Sequence, residues 1–477
     1  MIQVISALLV FVKDIFGGVI EGFFSLVIGL ASKTEPKGYS AEFASIGSIS
    51  SRWNKGISLV GGLGCTTKDV AYKGALIVGP SGSGKTSTVL IGSCYTLARG
   101  NSSLAIMDVS GEIRTLTSGY LAKKGFKIYT IDFTENSDSF NPLWFCTTVT
   151  DVHKIAFLLI KNSGIESKSD PYWSASAEMM LSIFMEYLVF YAEPKYRTMA
   201  NLVALADMFA ADPKKVDLLF VKARSNDLFT RYKAMNAVSE KTLQSTLATV
   251  RTAIKIFSTP ALQHCTSSNT IDFSTFRKEK SVLYICTPLI DINFYAPYSA
   301  LLFEALFKEI LCRIPEKHEL SIFALLDELV SMRFQNLGMV FANCRKYRAG
   351  CLGIVQDERI LEMNYSTAEA HAIKSNSYSK VYLPGQPLAT CKQLEEILGK
   401  RTSVDEKGVE RTRHLMSAAE IRMSDEAIVL CGNMPPIKAK LKPYYNHWQL
   451  SKWASIPPYE SLQREAFEIP ILTFDEA

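Results

Sequence analysis

The sequence predicts an α/β protein, with a mostly parallel, doubly wound sheet interrupted by an inserted all-α domain. Three observations carry this. Short apolar, β-rich runs alternate with helical stretches, the pattern of a parallel sheet covered on both faces. A glycine-rich loop joins the first of those runs to the first helix. From about residue 150 to residue 272 the alternation stops and helical periodicity continues almost without a break, as in SASAEMMLSIFMEYLVFYA and SEKTLQSTLATVRTAIKIF.

The 477-residue chain is long enough for more than one structural unit, since single cores rarely pass about 250–300 residues. Apolar residues at 48% and charged ones at 21% describe an ordinary globular protein and argue against long disorder. A net charge of +5 is too mild to mark a nucleic-acid binder by itself, so any basic surface must be local. The ten cysteines include no CxxC pair; Cys344 and Cys351 are the nearest two, without a matching histidine pair. They read as reduced, mostly buried thiols of a cytoplasmic domain.

Residues 1–32 stand apart by their apolar composition. Lys13, Asp14 and Glu21 interrupt the run, so no stretch reaches the roughly 18 uncharged residues of a clear membrane span. Gln3, Ser6, Asp14, Gly17, Glu21, Ser25 and Ser32 recur at helical spacing and form one polar stripe. Two readings stand: a membrane-associated helix, lying in the interface or crossing once, or an amphipathic helix folded onto its own domain.

A connector over residues 33–73 leads into the first part of the α/β domain, residues 33–149. Strands are expected at Ala75–Val78, Leu104–Met107 and Lys127–Ile131, with helices over Lys85–Ala98 and Glu112–Lys123. After the insertion at 150–272, residues 273–450 resume the sheet with strands at Ser281–Cys286, Ile322–Leu326, Cys351–Val355, Ser379–Leu383 and Ala427–Cys431. The polar stretch Lys400–His414 reads as an exposed loop, and residues 451–477 as a C-terminal tail.

Gly79-Pro80-Ser81-Gly82-Ser83-Gly84-Lys85-Thr86, followed by Ser87, fits the P-loop pattern of an NTPase. Its glycines let backbone N–H groups converge on phosphate oxygens at the positive end of the following helix. Lys85 is placed to reach the outer phosphates of ATP, and the Thr86 hydroxyl to bind Mg²⁺. Such a loop needs an acidic element from another strand, and Ser321-Ile-Phe-Ala-Leu-Leu-Asp-Glu328 supplies it. Asp327 is expected to hold Mg²⁺ through a water, and Glu328 to polarise the attacking water. Gln356 ends the run GCLGIVQ, where a polar side chain faces the ligand crevice of a parallel sheet. Asp108 closes LAIMD and is a further candidate for the same crevice.

Taken together, several segments resemble the coupling proteins of type IV secretion systems, the ATPases that feed conjugative DNA into a transfer channel. The P-loop is followed by Asp108-Val-Ser-Gly-Glu112 and TSGY, then by Ser139-Phe-Asn-Pro-Leu143, and Tyr172-Trp173 opens a long helix. LLDEL is followed by Arg345-Lys-Tyr347, with Gln356 eleven positions after Arg345. Leu398-Gly399 with Thr402, Arg413-His-Leu-Met416 and Pro435-Pro-Ile437 are similar to the family's closing strands, so the resemblance covers about residues 45–447.

The resemblance implies a RecA-like nucleotide domain, homo-hexamers at the cytoplasmic membrane, and channel components as partners. It makes the helical insertion a docking surface for relaxase-bound single-stranded DNA or for secreted proteins. Arg345 matches an arginine finger that reaches the neighbouring subunit's ATP; by residue type alone it is equally a solvated face with Lys346 and Arg348. The sequence also departs from the family. Only one interrupted apolar segment replaces two membrane helices, and Val109-Ser110 replaces a Pro-Lys pair. A coupling ATPase for protein effectors only, and a nucleotide-gated docking scaffold, are the competing functions.

Overall fold

In the computed structural model, residues 40–134, 136–163, 171–334, 336–404, 410–460 and 468–473 are described. The membrane reading of residues 1–32 therefore lies outside them; no helix among the described residues is long and apolar enough to cross a membrane. The chain falls into two compact units. The larger comprises residues 43–394 and 417–477, and the smaller joins the described residues up to Glu42 to residues 395–416.

Mostly apolar, largely buried runs of four to eight residues build the sheet of the larger unit. They are β1 (Ala75–Val78), β2 (Ser102–Val109), β3 (Lys127–Ile131), β4 (Ser281–Thr287), β5 (Ser321–Leu326), β6 (Ala349–Val355) and β7 (Ser379–Tyr382). All seven are parallel, in the order β7-β1-β6-β5-β2-β4-β3. Two further strands, β10 (Glu426–Cys431) and β11 (Ile437–Lys440), extend the β7 edge, with β10 antiparallel to both its neighbours. The fold is thus α/β with a mostly parallel sheet. Helices cover it: Ile77, Leu325, Ile354 and Val381 share one buried cluster with Val89, Ile91 and Tyr95 of the helix after the P-loop.

Between β3 and β4 the described residues form helices and 3-10 turns and no strand. N-caps follow the sequence closely there. Thr148, Thr198, Asp212, Ser225, Ser239 and Thr259 each accept a backbone N–H at the start of a helix.

The stretch expected to be an exposed loop, Lys400–His414, is instead an antiparallel hairpin of the smaller unit. Its strands are β8 (Lys400–Val404) and β9 (Glu410–His414), paired from Lys400↔His414 to Val404↔Glu410. A hairpin with both faces polar offers no apolar alternation to reveal it, which is why the sequence reads as loop.

Candidate nucleotide site

The topology interposes β6 between β1 and β5. In a parallel sheet every strand delivers its following residue to the same edge, so three strands bring together residues far apart in sequence. The P-loop leaves Val78 of β1, Asp327 and Glu328 follow Leu326 of β5, and Gln356 follows Val355 of β6. These meet in an open cleft of about 900 Å³, lined by Ser81, Gly82, Gly84, Lys85, Thr86 and Ser87 with Asp327, Glu328 and Gln356. Val109 and Glu112, beyond β2, and Leu289, beyond β4, complete the wall. Sequence reasoning did not assign these three to the cleft. Glu112 was visible within Asp108-Val-Ser-Gly-Glu112, but only the strand order shows that β2 and β4 deliver to this place.

Gly79 illustrates the loop's constraint. A Cβ there would lie 2.6 Å from Ser83 Oγ and 3.0 Å from Leu383 Cβ, so a side chain would spread the turn. Lys85 Nζ donates to the carbonyls of Gly79 and Pro80, at 2.8 Å each. The helix opens with a π-type turn over Lys85–Leu90 before continuing regularly through Ile91–Ala98. Such turns cluster at functional sites.

Glu328 is held in a costly way. Its φ of 67° is left-handed, worth roughly 1–2 kcal/mol for a non-glycine residue. The turn is secured by the Leu329 N–H, which donates to the Ile354 carbonyl at 2.9 Å. Gln356 Nε2 in turn donates to Glu328 Oε2 at 3.1 Å. Three of the expected residues, Glu328, Gln356 and Lys85, are thereby set around one space.

Electrostatics follow from crowding. Burial pushes Asp327 up to about 7, with Asp108 and Glu328 adding to the shift and Lys85 opposing it. Burial lowers Lys85, while Glu328 and Asp327 pull it back. An acid-rich, partly buried cluster with one ammonium suits a phosphate ligand accompanied by a hard dication. The donor set agrees: Thr86 and Asp327 offer oxygen, the chemistry of Mg²⁺. Among the described residues no group of three or more His, Cys, Asp or Glu could cage a metal alone, so water and substrate oxygens must fill most of its shell.

Asp108 does not line the cleft. It is fully buried, and its carboxylate accepts the Ile113 and Arg114 N–H groups at 3.2 and 2.7 Å, capping the helix Glu112–Lys123. Burial still holds it up at about 6. Its part is structural, with a field felt by Asp327. Arg345 lies elsewhere too. It sits on the turn Cys344–Tyr347 before the start of β6, whereas Gln356 follows its end. Seven strand residues at about 3.3 Å each separate those ends by roughly 23 Å. Arg345 is exposed and pairs with Asp69 at 3.5 Å, so it does not serve the cleft of its own chain.

The family model for type IV secretory system conjugative DNA transfer matches residues 45–469. The chain belongs to this family. Among its relatives, Protein VirD4 of Rhizobium radiobacter is 22% identical over 409 residues, covering 79% of this chain and 58% of that protein. Protein VirD4 of Rhizobium rhizogenes is 21% identical over 413 residues, covering 79% and 59%. The chain thus spans a little under three fifths of the length of these relatives. Among solved structures, the bacterial conjugative coupling protein TrwBdeltaN70 in complex with sulphate aligns with a TM-score of 0.66 at 17% identity, covering 86% of this chain and 96% of that one. Plasmid coupling protein TrwB in complex with ADP and Mg²⁺ aligns with a TM-score of 0.65 at 17% identity, covering 85% and 94%. At such identity the likeness establishes a shared RecA-like P-loop fold.

Proposed function

We propose that the chain is the ATPase of a conjugative coupling complex. It binds ATP with Mg²⁺ in the cleft, hydrolyses it, and drives relaxase-bound single-stranded DNA into a type IV secretion channel at the cytoplasmic membrane. The cargo and channel rest on membership of the conjugative DNA-transfer family. The nucleotide is supported by the P-loop cleft and by the fold shared with TrwB, a protein itself crystallised with ADP and Mg²⁺ and with an ATP analogue.

The hydrolytic reading is carried by the bond between Gln356 and Glu328. Binding alone needs the loop and Lys85; it does not need a carboxylate held in strained backbone and oriented by an amide. With Oε2 engaged by Gln356, the other carboxylate oxygen of Glu328 is left to orient a water and take its proton. Lys85 stabilises the charge that builds on the phosphoryl oxygens. Thr86 and Asp327 would hold Mg²⁺, which supplies further charge neutralisation. The helical stretch at 150–272 is the docking surface for the cargo, and Arg345 completes a neighbour's site in a homo-hexamer.

The test is hydrolysis by the purified chain with and without single-stranded DNA. Stimulation is expected, and both Lys85→Ala and Glu328→Gln should lower turnover by about 10²–10³-fold or more. Glu328→Gln should still bind ATP tightly, whereas Lys85→Ala binds it poorly. Near-normal turnover of Glu328→Gln would remove the assigned base, and slow turnover indifferent to DNA would leave a docking scaffold.

A further inference from the structure

The cleft accounts for only the phosphate half of ATP. Its side chains suit phosphates and Mg²⁺, and among the described residues that line it none is aromatic. Glu328 and Gln356 mark the end where the outer phosphate sits. The adenosine therefore leaves the other way, past Ser87 and along the first turns of the P-loop helix. What packs against those turns decides where the base goes.

Two segments remote in sequence are seated there. The Gly62 N–H donates to the Lys442 carbonyl at 2.9 Å, and the Lys442 N–H to the Val60 carbonyl at 2.8 Å. Gly61, at a left-handed φ of 84°, lies against the helix: a Cβ there would fall 2.7 Å from Thr88 Cγ2 and 2.1 Å from the Lys442 carbonyl oxygen. Only a glycine admits this approach. Just beyond Lys442, the turn Tyr444–Asn446 packs on Lys85–Leu90 itself.

The same two segments border a cavity of about 950 Å³, comparable to the phosphate cleft, whose lining includes Arg52, Gly61, Gly62, Lys442, His447 and Trp448. Arg52 and Lys442 give it a positive field, which favours an anionic nucleotide. Trp448 is 76% exposed, yet its mount is fixed. It opens the helix Trp448–Ala454, which is tied to the core by buried Leu450 and by the Trp453 ring stacked 4.6 Å from Tyr120. A large open ring on a fixed mount, facing a cavity with a glycine floor, is a platform for a flat aromatic ligand.

We propose that this cavity is the base subsite of the nucleotide site, an inference that rests on the ATP-binding reading of the cleft. The purine lies over the Gly61–Gly62 backbone and stacks on Trp448. Trp448 is thus a positioning residue for ATP and takes no part in the chemistry at the outer phosphate.

The experiment is calorimetric titration of the full chain with ATP and with inorganic tripolyphosphate, each with Mg²⁺. Tripolyphosphate carries the three phosphates without the base and so isolates the phosphate cleft. Trp448→Ala should weaken ATP binding about tenfold and leave tripolyphosphate unchanged, which also shows that the variant is folded. Trp448→Phe should keep most of the ATP affinity. ATP should quench indole fluorescence of the native chain by an increment that tripolyphosphate does not produce and that Trp448→Phe abolishes. The subsite is overturned if Trp448→Ala binds ATP as the native chain does. It is equally overturned if that variant loses both ligands alike, for Trp448 would then only support the loop. A native chain that binds neither ligand overturns the nucleotide reading itself, and the subsite with it.

Discussion

At or behind the cleft the ammonium of Lys85 faces the carboxylates of Asp108, Glu112, Asp327 and Glu328. The charges of Asp108, Glu328 and Glu112 all bear on Asp327, and that of Glu112 on Asp108. That Lys85, Thr86, Asp327 and Glu328 share one cleft is legible from residue type and spacing, because a P-loop and an acid-ended strand of one α/β sheet are each recognisable locally. The capping role of Asp108 is not, since a strand-final aspartate looks alike whether it faces ligand or helix. Support for Gln356 reaches further. Glu358, buried two residues after it, accepts from the Tyr382 hydroxyl at 2.6 Å. Because β1 lies between β6 and β7, that bond spans the point where the P-loop departs. Tyr382→Phe would leave a buried carboxylate without this partner and free the loop that aims Gln356. Turnover should fall about tenfold while ATP affinity stays within a factor of roughly two. Equal losses in both, read from steady-state rates and equilibrium binding, would mean a general disturbance of the loop and not a positioning role.

At the scale of elements, the parallel strands are readable because each is a short apolar run, and their predicted ends lie within about two residues of the observed ones. The edge strand β11 and the hairpin β8–β9 are not, for β11 alternates and the hairpin is polar but for Val404, which leaves little apolar signal. Close approach between elements is equally hidden. Gly119, midway along the helix Glu112–Lys123, has no sequence context that explains it. In the structure a Cβ there would lie 2.0 Å from the Pro457 carbonyl oxygen and 2.9 Å from Ile456 Cγ2. The glycine admits the chain that follows the C-terminal helix Trp448–Ala454, whose Trp453 ring lies 4.6 Å from Tyr120 and 5.4 Å from Tyr95 between centroids. Gly119→Ala should therefore force this segment outward and destabilise the protein by ~1–3 kcal/mol, despite alanine's better helix propensity. A melting temperature equal to or above that of the native chain would show that the segment yields without cost.

For the whole molecule, the order β1-β6-β5 decides the site, and no local pattern announces it; it emerges only when distant strands pair. The same topology sends Arg345 to the opposite edge of the sheet from the cleft, and this makes its proposed role testable as a property of an assembly. The turn that carries it is firmly mounted. The buried Arg277 guanidinium donates to the Tyr347 carbonyl at 2.8 Å and to the Leu320 carbonyl at 3.0 Å. Among the described residues the Arg345 side chain is held by its exposed pairing with Asp69, and such surface pairs contribute ~0–1 kcal/mol. A rigid base bearing a readily released guanidinium is what delivery to a neighbour requires. Arg345→Ala should then bind ATP normally and assemble, yet hydrolyse it some 10³–10⁵-fold more slowly, the range in which an arginine supplied across an interface acts. Asp69→Ala should change turnover little, because the exposed pair is worth so little. The decisive version mixes Arg345→Ala with Glu328→Gln subunits, each inactive alone. A mixed ring contains interfaces where an intact Glu328 meets a neighbour's intact Arg345, so turnover should reappear on mixing and scale with the fraction of such interfaces. If Arg345→Ala alone is fully active under conditions where the ring assembles, the residue is surface charge. If both single variants are inactive and mixing restores nothing although subunits exchange, Arg345 does not act across the interface.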